Sequence, residues 1–397
     1  MKQPYLFSLL SLTLMILGCS PSEPGSDGAA QQSAPTMARE PDPFEEQVAE
    51  YIQKFPYQDT FNYVMRYTGG DPKKFNTWVP GGEPTLVRAG EDIVVRMNND
   101  TYYNAAVLYL EDGPVVLGSS APAENRFNSF QLMDDRNVNY RNIINPKGEY
   151  TFYYGKKPEQ FVGEAIEVPS SLSVVIVRVE VKDKDDPEDV AAAIEVYKAM
   201  TITGSHPAVF PQLDLLSGYK ADVADEANRR MDETFARLPL SHIVLRHGQE
   251  LGVDVSYLHH AAATKGAWGA PDPSHSSYET IFFDENGDEM RGSNGTYTVT
   301  TGEPPVDAFW SITVYDTDRG GFLHPNDDDR YHINNTAAVR NDDGTVTFTF
   351  TQNCEVSDLN CLEVPSGRFD LTSRYYLPHE EIITEEWTLP KIKPQAD

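Results

Sequence analysis

The chain has little of what metal, redox and nucleic-acid sites are built from. Its 397 residues include 3 cysteines and 9 histidines, and 32 lysines and arginines stand against 61 acids, which gives a formal net charge of −29. That charge would repel nucleic acids and anionic polysaccharides, so neither is an expected partner. No histidine or further cysteine lies at ligand spacing near Cys354 and Cys361, and no metal site is predicted. Phosphate-cradling glycine loops and dinucleotide fingerprints are missing too, so no cofactor is predicted.

Long hydrophobic runs are also scarce. The apolar run at 6–17 follows Lys2 and is too short to cross a bilayer, which is the layout of a secretory signal peptide. Residues 16–19 (ILGC) resemble the bacterial lipobox, in which the cysteine is lipidated. We therefore expect a signal peptide at 1–19, with a lipid anchor on Cys19 and Ser20 favouring the outer membrane. An ordinary cleaved signal peptide is the alternative.

The segment that follows is poor in large apolar side chains. Residues 20–41 are rich in Ser, Pro, Gly, Ala and Gln and cannot bury enough surface to fold, so they predict a flexible tether. Two cysteines then remain in the mature chain. In an oxidising cell envelope, Cys354 and Cys361 are predicted to form a disulfide that closes a short loop.

Hydrophobic periodicity divides the rest of the chain into two β-rich regions and a helical connector. An amphipathic helix is predicted over 43–55, ended by Pro56 and followed by a second short helix. Short β-branched and aromatic strands occupy 92–181 and 278–376, and Asp186 marks the start of a helix between them. We predict an N-terminal domain at 42–203, a connector at 204–265, a C-terminal domain at 266–390 and a tail at 391–397. The two halves share no convincing internal repeat, only a β-rich character.

Two groups of motifs carry a family resemblance. Residues 82–117, with NNDTY at 98–102 and GPVVL at 113–117, resemble the bacterial domain of unknown function 1254. Residues 305–313 (PVDAFWSIT), with GFL at 321–323 and RY at 330–331, resemble the domain of unknown function 1214. The resemblance implies a mainly β, α+β chain with two jelly-roll-like antiparallel β-sandwich domains. It implies no activity. The family tends to carry tryptophan where this chain has Cys361, which further supports the disulfide.

The strand at 309–316 organises the candidate site. Trp310, Ile312 and Val314 alternate with Ser311, Thr313 and Tyr315, a period that predicts one face in a core and one face in polar surroundings. Polar residues around this and neighbouring strands are the candidates. For ligand binding they are Asn98, Asn99, Asp100, Tyr102, Gln131, Arg136, Tyr315, Asn326 and Arg330, and for catalysis they are Asp134, Asp316 and His324.

Each group has a structural alternative. The loop at 98–102 is either a pocket rim or an Asx-rich turn that satisfies its own backbone. Asp134 and Arg136 are either a ligand site or a structural ion pair. The polar segment at 324–332 holds a histidine beside carboxylates, which suits a general base or a metal ligand. Three consecutive aspartates cannot all face one centre in an extended segment, so a solvated loop is the simpler explanation. The acidic run 284–288 is predicted to be a hairpin turn and not a calcium loop.

Taken together, these features predict a cell-envelope lipoprotein that binds a small polar or amphiphilic ligand, such as a carbohydrate, between two β-sandwich domains. Whether it also processes that ligand is left open by the sequence. A non-enzymatic structural protein that self-assembles into homo-oligomers is the alternative, and it would require a closed interdomain groove and an exposed apolar patch.

Overall fold

The computed structural model describes residues 42–79, 81–91, 95–120, 126–238, 245, 249–355 and 357–395. The predicted signal peptide, the lipidation site Cys19 and the tether lie outside these ranges. Within them, no helix combines the length and the apolar character that crossing a membrane requires.

The α-helices in the described ranges are α1 (Pro43–Thr68), α2 (Pro187–Lys198), α3 (Ala221–Phe235), α4 (Tyr257–Ala267) and α5 (Glu380–Ile383). Asp42 and Asp186 cap α1 and α2 by accepting hydrogen bonds from the backbone N–H groups of Phe44 and Glu188. Helices α1, α3 and α4 pack around a shared apolar core, so the N-terminal helix joins the two connector helices.

The predicted break at Pro56 in helix α1 is wrong. The helix runs through this proline, which has no N–H to donate to the carbonyl of Ile52. Ile52 packs in the helical core and Phe61 packs against the N-terminal sheet, so tertiary contacts hold both halves of the helix in line. Burial of these faces outweighs the lost hydrogen bond.

The strands form two β-sandwich lobes. The N lobe contains β1 (Thr101–Tyr109), β2 (Val115–Ser119), β3 (Asn128–Asp134), β4 (Asn139–Ile144), β5 (Gly148–Tyr153), β6 (Glu164–Glu167), β7 (Leu172–Glu180) and β8 (Met200–Thr203). Its inner sheet has the order β1-β7-β3-β4 and its outer sheet the order β6-β5-β2-β8. The core lies between them and includes Phe130 and Leu132 from one sheet and Leu117 and Phe152 from the other.

The C lobe contains β9 (Ser276–Ile281), β10 (Tyr297–Thr301), β11 (Trp310–Asp316), β12 (Phe322–Leu323), β13 (His332–Asn334), β14 (Val346–Thr351), β15 (Cys361–Glu363), β16 (Phe369–Tyr376) and β17 (Lys393–Pro394). Its inner sheet has the order β9-β16-β11-β12, with β13 also paired to β11, and its outer sheet the order β15-β14-β10-β17. The prediction of a mainly β, α+β chain with two sandwich domains is confirmed. Cys354 and Cys361 form the predicted disulfide beside β15.

The two lobes repeat one topology, strand for strand. Numbering each lobe from its first strand gives an inner sheet 1-7-3-4 and an outer sheet 6-5-2-8 in both, with the fourth C-lobe strand split into β12 and β13. Strands 5 and 6 are parallel in both lobes, and the other pairs are antiparallel. A helix joins strands 7 and 8 in both, α2 in one and α5 in the other. The halves therefore share more than the β-rich character expected from sequence.

Candidate functional site

Strand β11 shows the predicted alternation. Trp310, Ile312 and Val314 lie in the C-lobe core. On the opposite face, the Ser311 hydroxyl donates a hydrogen bond to the Asp100 carboxylate, and the Tyr315 hydroxyl donates to the Met97 carbonyl at 2.8 Å. The polar face of this strand therefore contacts the N lobe.

A layer of buried polar side chains lies where the two inner sheets meet. We call it the interlobe layer, and its members are Asn98, Asp100, Tyr103, Ser129, Gln131, Arg178, His275, Tyr278, Ser311, Tyr315, Arg374 and Tyr376. Phe127 and Phe309 contact each other at its edge with ring centroids 5.8 Å apart.

On the C-lobe side, the layer is organised around Asp100, which is fully buried. Its Oδ1 accepts a hydrogen bond from the Tyr376 hydroxyl at 3.0 Å, and its Oδ2 accepts from Ser311. The Asn98 side chain donates to the Tyr376 hydroxyl and accepts from the Asp100 N–H at 2.8 Å. The loop at 98–102 thus holds a carboxylate against the opposite lobe.

Arg374 is the guanidinium on this side. It donates to Thr313 Oγ1 at 3.0 Å, to the Tyr315 hydroxyl at 2.7 Å and to the Arg96 carbonyl at 2.8 Å. Burial acts to lower the pKa of Arg374, but the neighbouring Tyr315 and Asp100 outweigh burial and raise it. Asp100 therefore supplies the negative charge that offsets this buried cation.

Arg178 is the corresponding guanidinium on the N-lobe side, and it is 3% exposed. It donates to Gln131 Oε1 and lies over the Tyr103 ring, 5.3 Å from its centroid. Gln131 is fixed in this orientation because its NH₂ group donates to the carbonyls of Gly269 at 3.0 Å and Ala270 at 3.2 Å.

Among the described residues, the Nε atoms of both Arg178 and Arg374 lack a hydrogen-bond partner, and no carboxylate lies within ion-pair distance of either side chain. The two arginines differ in their neighbours, because the charge of Asp100 acts on Arg374 whereas tyrosines act on Arg178.

The groups around Arg178 are uncharged at neutral pH. His275 contacts Ser129 Oγ through Nε2 at 2.9 Å and Ser276 Oγ through Nδ1 at 3.1 Å. Burial, helped by the nearby Arg178, lowers the pKa of His275 well below its usual value, so the imidazole is neutral. Burial also raises the pKa of the Tyr278 hydroxyl, which keeps that phenol neutral.

The layer opens to solvent at two tyrosines. Tyr103 and Tyr278 are half-buried, although each lies beside a guanidinium that is almost completely buried. Arg374 lies over the Tyr278 ring, 5.3 Å from its centroid, as Arg178 lies over Tyr103. At these two rings the layer is in contact with solvent.

The structure brings Asn98, Asp100, Gln131 and Tyr315 of the candidate ligand residues to the layer. Tyr102 points into the N-lobe core, where it packs edge-on against Tyr197. Asn99 lies at the margin and contacts His332 Nδ1 at 3.0 Å.

The three catalytic candidates do not form one site, because Asp316 and His324 are neighbours in the C lobe whereas Asp134 lies in an N-lobe turn. Asp134 ends β3, and its carboxylate accepts hydrogen bonds from Arg136 Nη2 at 2.7 Å and from the Val138 N–H at 2.9 Å, an ion pair within a turn. Asp316 ends β11 and accepts from the Arg319 N–H at 3.1 Å. Each lies five residues, or about 17 Å, along its strand from Ser129 or Ser311 in the layer.

His324, Asn326 and Arg330 belong to a loop between β12 and β13. Asn326 shapes this loop, because it accepts from the Arg330 N–H at 2.9 Å and donates to the Arg330 carbonyl at 3.2 Å. The Arg330 side chain reaches the Asp358 carbonyl at 3.2 Å. Burial, helped by Arg319, lowers the pKa of His324 despite the nearby Asp316, so this imidazole is neutral at pH 7.

One open cavity of about 600 Å³ lies elsewhere, along the turn Asp284–Asp288 and against Tyr297 and Pro394. This segment is the predicted hairpin turn. Asp284 accepts from the N–H groups of Asn286 at 2.8 Å and Asp288 at 3.1 Å. The carboxylate that defines the turn is thus already used by its backbone.

Sequence reasoning did not identify Arg178, His275, Arg374 or Tyr376. A repeated spacing could have found the strand that carries the layer in each lobe. Phe127, Ser129 and Asp134 recur as Phe309, Ser311 and Asp316 at equal intervals, and the two serines pair across their sheets with Arg178 and Arg374.

Comparisons with known proteins agree with this two-lobe arrangement. The family described as "Protein of unknown function (DUF1254)" matches residues 81–204, and "Protein of unknown function (DUF1214)" matches residues 275–380. The crystal structure of the VPA0106 protein from Vibrio parahaemolyticus is similar, with a TM-score of 0.70 and 18% identity over 88% of this chain and 99% of that chain. That likeness shows the fold.

A structure of an uncharacterised Burkholderia cenocepacia protein aligns with a TM-score of 0.44 and 11% identity over 91% of this chain and 90% of that chain. No curated protein matches the sequence.

Proposed function

This chain belongs to the two-domain family that joins the domains of unknown function 1254 and 1214, and from that premise we propose that it is a cell-envelope lipoprotein that binds a small polar ligand between its lobes. The observation that carries the proposal is Arg178, a buried guanidinium whose neighbours among the described residues include the Gln131 amide and tyrosines but no carboxylate, beside the half-buried Tyr103. Buried charges cost several kcal/mol unless they are paired, and a polar ligand would supply the missing partner.

The aromatic and amide groups around Arg178 fit the same role. Ligand sites combine apolar or aromatic walls with a few fixed polar groups that set orientation. Tyr103 and Tyr278 offer ring surface, and Gln131 is held rigidly by two backbone carbonyls. These groups lie on strands of the inner sheets, which position side chains more firmly than loops do.

Two further observations support the location. The Cys354–Cys361 disulfide suits an oxidising compartment. The sequence at 16–19 resembles a lipobox, so Cys19→Ala is expected to move the protein from the membrane fraction to the soluble periplasmic fraction. Unchanged membrane association in that variant would remove the anchor from the proposal.

Native mass spectrometry of the full-length protein, released from membranes in mild detergent, tests ligand binding directly. We expect a non-covalent adduct in the wild type that is lost in Arg178→Met. The matched control is Arg88→Met, because the Arg88 side chain is exposed and pairs only at the surface with Asp329. An adduct that survives Arg178→Met, or no adduct together with no thermal shift across a panel of sugars, amides and acids, would refute binding at this layer.

A further inference from the structure

The repeated topology makes Asp100 and His275 counterparts. Each residue directly precedes the first strand of its lobe. The Asp100 carbonyl accepts a hydrogen bond from the Val181 N–H at 3.0 Å, and the His275 carbonyl accepts one from the Leu377 N–H at 3.0 Å. Val181 and Leu377 each directly follow strand 7 of their lobe, so the backbone contacts match position for position.

The side chains of the two counterparts also match in direction. Asp100 reaches across to Ser311 in the third strand of the C lobe, and His275 reaches across to Ser129 in the third strand of the N lobe. Ser311 pairs in register with Arg374, and Ser129 pairs in register with Arg178. Each counterpart therefore sits beside the arginine of the opposite lobe.

The counterparts differ in charge. Asp100 gives the Arg374 side a carboxylate, whereas His275 gives the Arg178 side a neutral imidazole. Among the described residues, the other groups that act on Arg178 are the Gln131 amide and the side chains of Tyr103, Tyr278 and Tyr376, and none of them is a carboxylate. One half of the layer thus contains its counter-ion within the chain, and the other half does not.

We infer that the ligand proposed above presents a carboxylate to Arg178, in the role that Asp100 has toward Arg374. The inference rests on the proposed function and assigns its ligand class. A carboxylate suits the planar guanidinium, whose parallel N–H groups match two carboxylate oxygens. Tyr103 and Tyr278 add flat ring surfaces beside it, so the acid is expected to carry an aromatic or unsaturated body.

Benzoate and benzamide are suitable probes because they differ in the charged group and share the ring. Isothermal titration calorimetry on the full-length protein in detergent should show benzoate binding at least tenfold tighter than benzamide. The preference should vanish in Arg178→Met, recover in part in Arg178→Lys, and persist in Arg88→Met. Circular dichroism checks that each variant is folded.

His275→Asp is the sharper variant. It places a carboxylate at the position equivalent to Asp100, so the chain would supply its own counter-ion and benzoate affinity should fall at least tenfold. Unchanged benzoate binding in a folded His275→Asp variant would contradict the inference.

The outcomes separate the inference from the proposal on which it rests. Equal binding of benzoate and benzamide, or tighter binding of inorganic phosphate than of benzoate, overturns the carboxylate assignment and leaves binding at the layer standing. Absence of binding by both probes also counts against the carboxylate. The loss of the native adduct in Arg178→Met then decides the proposed function independently.

Discussion

The two lobes place an arginine, a tyrosine and a serine at equivalent positions, yet they treat the arginine differently. Arg374 is enclosed by hydrogen bonds to Thr313, to Tyr315 and to a backbone carbonyl, with Asp100 nearby. Arg178 donates to Gln131 and lies among tyrosines, and no carboxylate acts on it as Asp100 acts on Arg374. The Nε atoms of both arginines lack a partner among the described residues. The same scaffold therefore supports a self-contained charge network in one half and an incomplete one in the other. A charge network that is complete within the chain suits a structural role, and one that lacks a counter-ion suits ligand binding.

Removing each arginine should separate these roles. Arg374→Met removes three hydrogen bonds and the positive charge that acts on the buried Asp100, so it should cost about 3–5 kcal/mol of unfolding free energy. Arg178→Met removes a buried charge without stranding a carboxylate, so its effect in ligand-free protein should stay within about 1 kcal/mol. Urea unfolding of both variants and the wild type at one pH measures the difference. Equal losses would mean that Arg178 has a counter-ion after all.

The parallel strand pair at the edge of each outer sheet, β5–β6 in the N lobe and β14–β15 in the C lobe, offers a second comparison. In the C lobe, the Cys354–Cys361 disulfide closes a loop between residues seven apart beside β14 and β15, and a loop of this size contributes about 2.5 kcal/mol by the chain-entropy relation. Cys354→Ser combined with Cys361→Ser should lower the urea-derived unfolding free energy by about this amount. Reducing agent should give the same loss in wild type and none in the double variant.

In the N lobe, hydrogen bonds stabilise the equivalent connection between β5 and β6, without a disulfide. The Thr151 hydroxyl donates to the Val162 carbonyl at 2.7 Å and accepts from the Val162 N–H at 3.1 Å. Thr151→Val should cost about 1 kcal/mol, because it removes two hydrogen bonds to the exposed Val162, and this loss should be insensitive to reducing agent. If reducing agent changed the loss in Thr151→Val, the two edges would not be independent.

How much of this could be read from the sequence depends on whether a contact is local. The alternation of Trp310 with Ser311 predicts which face of β11 is buried, and Asp186 predicts the start of α2, because both signals lie within a few residues. The break predicted at Pro56 is wrong because packing of α1 against distant elements outweighs one missing hydrogen bond. Local pattern carries no information about such long-range contacts.

The candidate site illustrates the same limit. Asn98, Asp100, Gln131 and Tyr315 were predicted from turn and strand patterns and do lie in the interlobe layer. Arg178 and Arg374 were not, since an arginine within an apolar strand becomes informative only once its partner strand is known. The density of polar residues at 324–332 pointed to a loop that Asn326 shapes through its own backbone and that makes further contacts with Asp358 and Asn99.

A smaller difference separates the ends of β3 and β11. Asp135 follows Asp134, and Thr317 follows the equivalent Asp316 and donates to Asp370 at 2.8 Å. Burial, reinforced by Asp134, raises the pKa of Asp135 from 3.8 to about 6. The folded state therefore binds more protons than the unfolded state between these values, and stability falls as the pH rises through this range.

Asp135→Thr, which introduces the C-lobe residue, should therefore stabilise the protein at pH 8. The full shift corresponds to roughly 3 kcal/mol, and partial exposure reduces the expected gain to about 1 kcal/mol. The gain should shrink as the pH falls through about 6 toward 3, below the unfolded-state pKa of 3.8, where Asp135 becomes protonated in both states. Urea unfolding across this range measures it, with Asp112→Thr on an exposed turn as the control. A gain that does not vary with pH would have another cause.

The smallest expected effect concerns the fourth strand. In the N lobe the register of β3 and β4 shifts between Leu132 and Met133. At the equivalent place in the C lobe, residues 324–331 interrupt the strand between β12 and β13. The acidic loop of the C lobe therefore replaces a simple register shift in the N lobe. A solvated insertion of this kind need not contribute to stability or binding.

Asp328→Asn tests that interpretation. Asp328 is exposed, so neutralising it should change the unfolding free energy by less than about 0.5 kcal/mol and leave benzoate binding unchanged. Glu363 provides a local readout, because burial raises its pKa and the charges of Asp327 and Asp328 raise it further. An NMR titration should show the pKa of Glu363 lower in the variant than in wild type. A loss of benzoate affinity would instead place the loop, with His324 and Arg330, in the binding site. The difference between the lobes that matters for binding would then be the interrupted fourth strand of the C lobe.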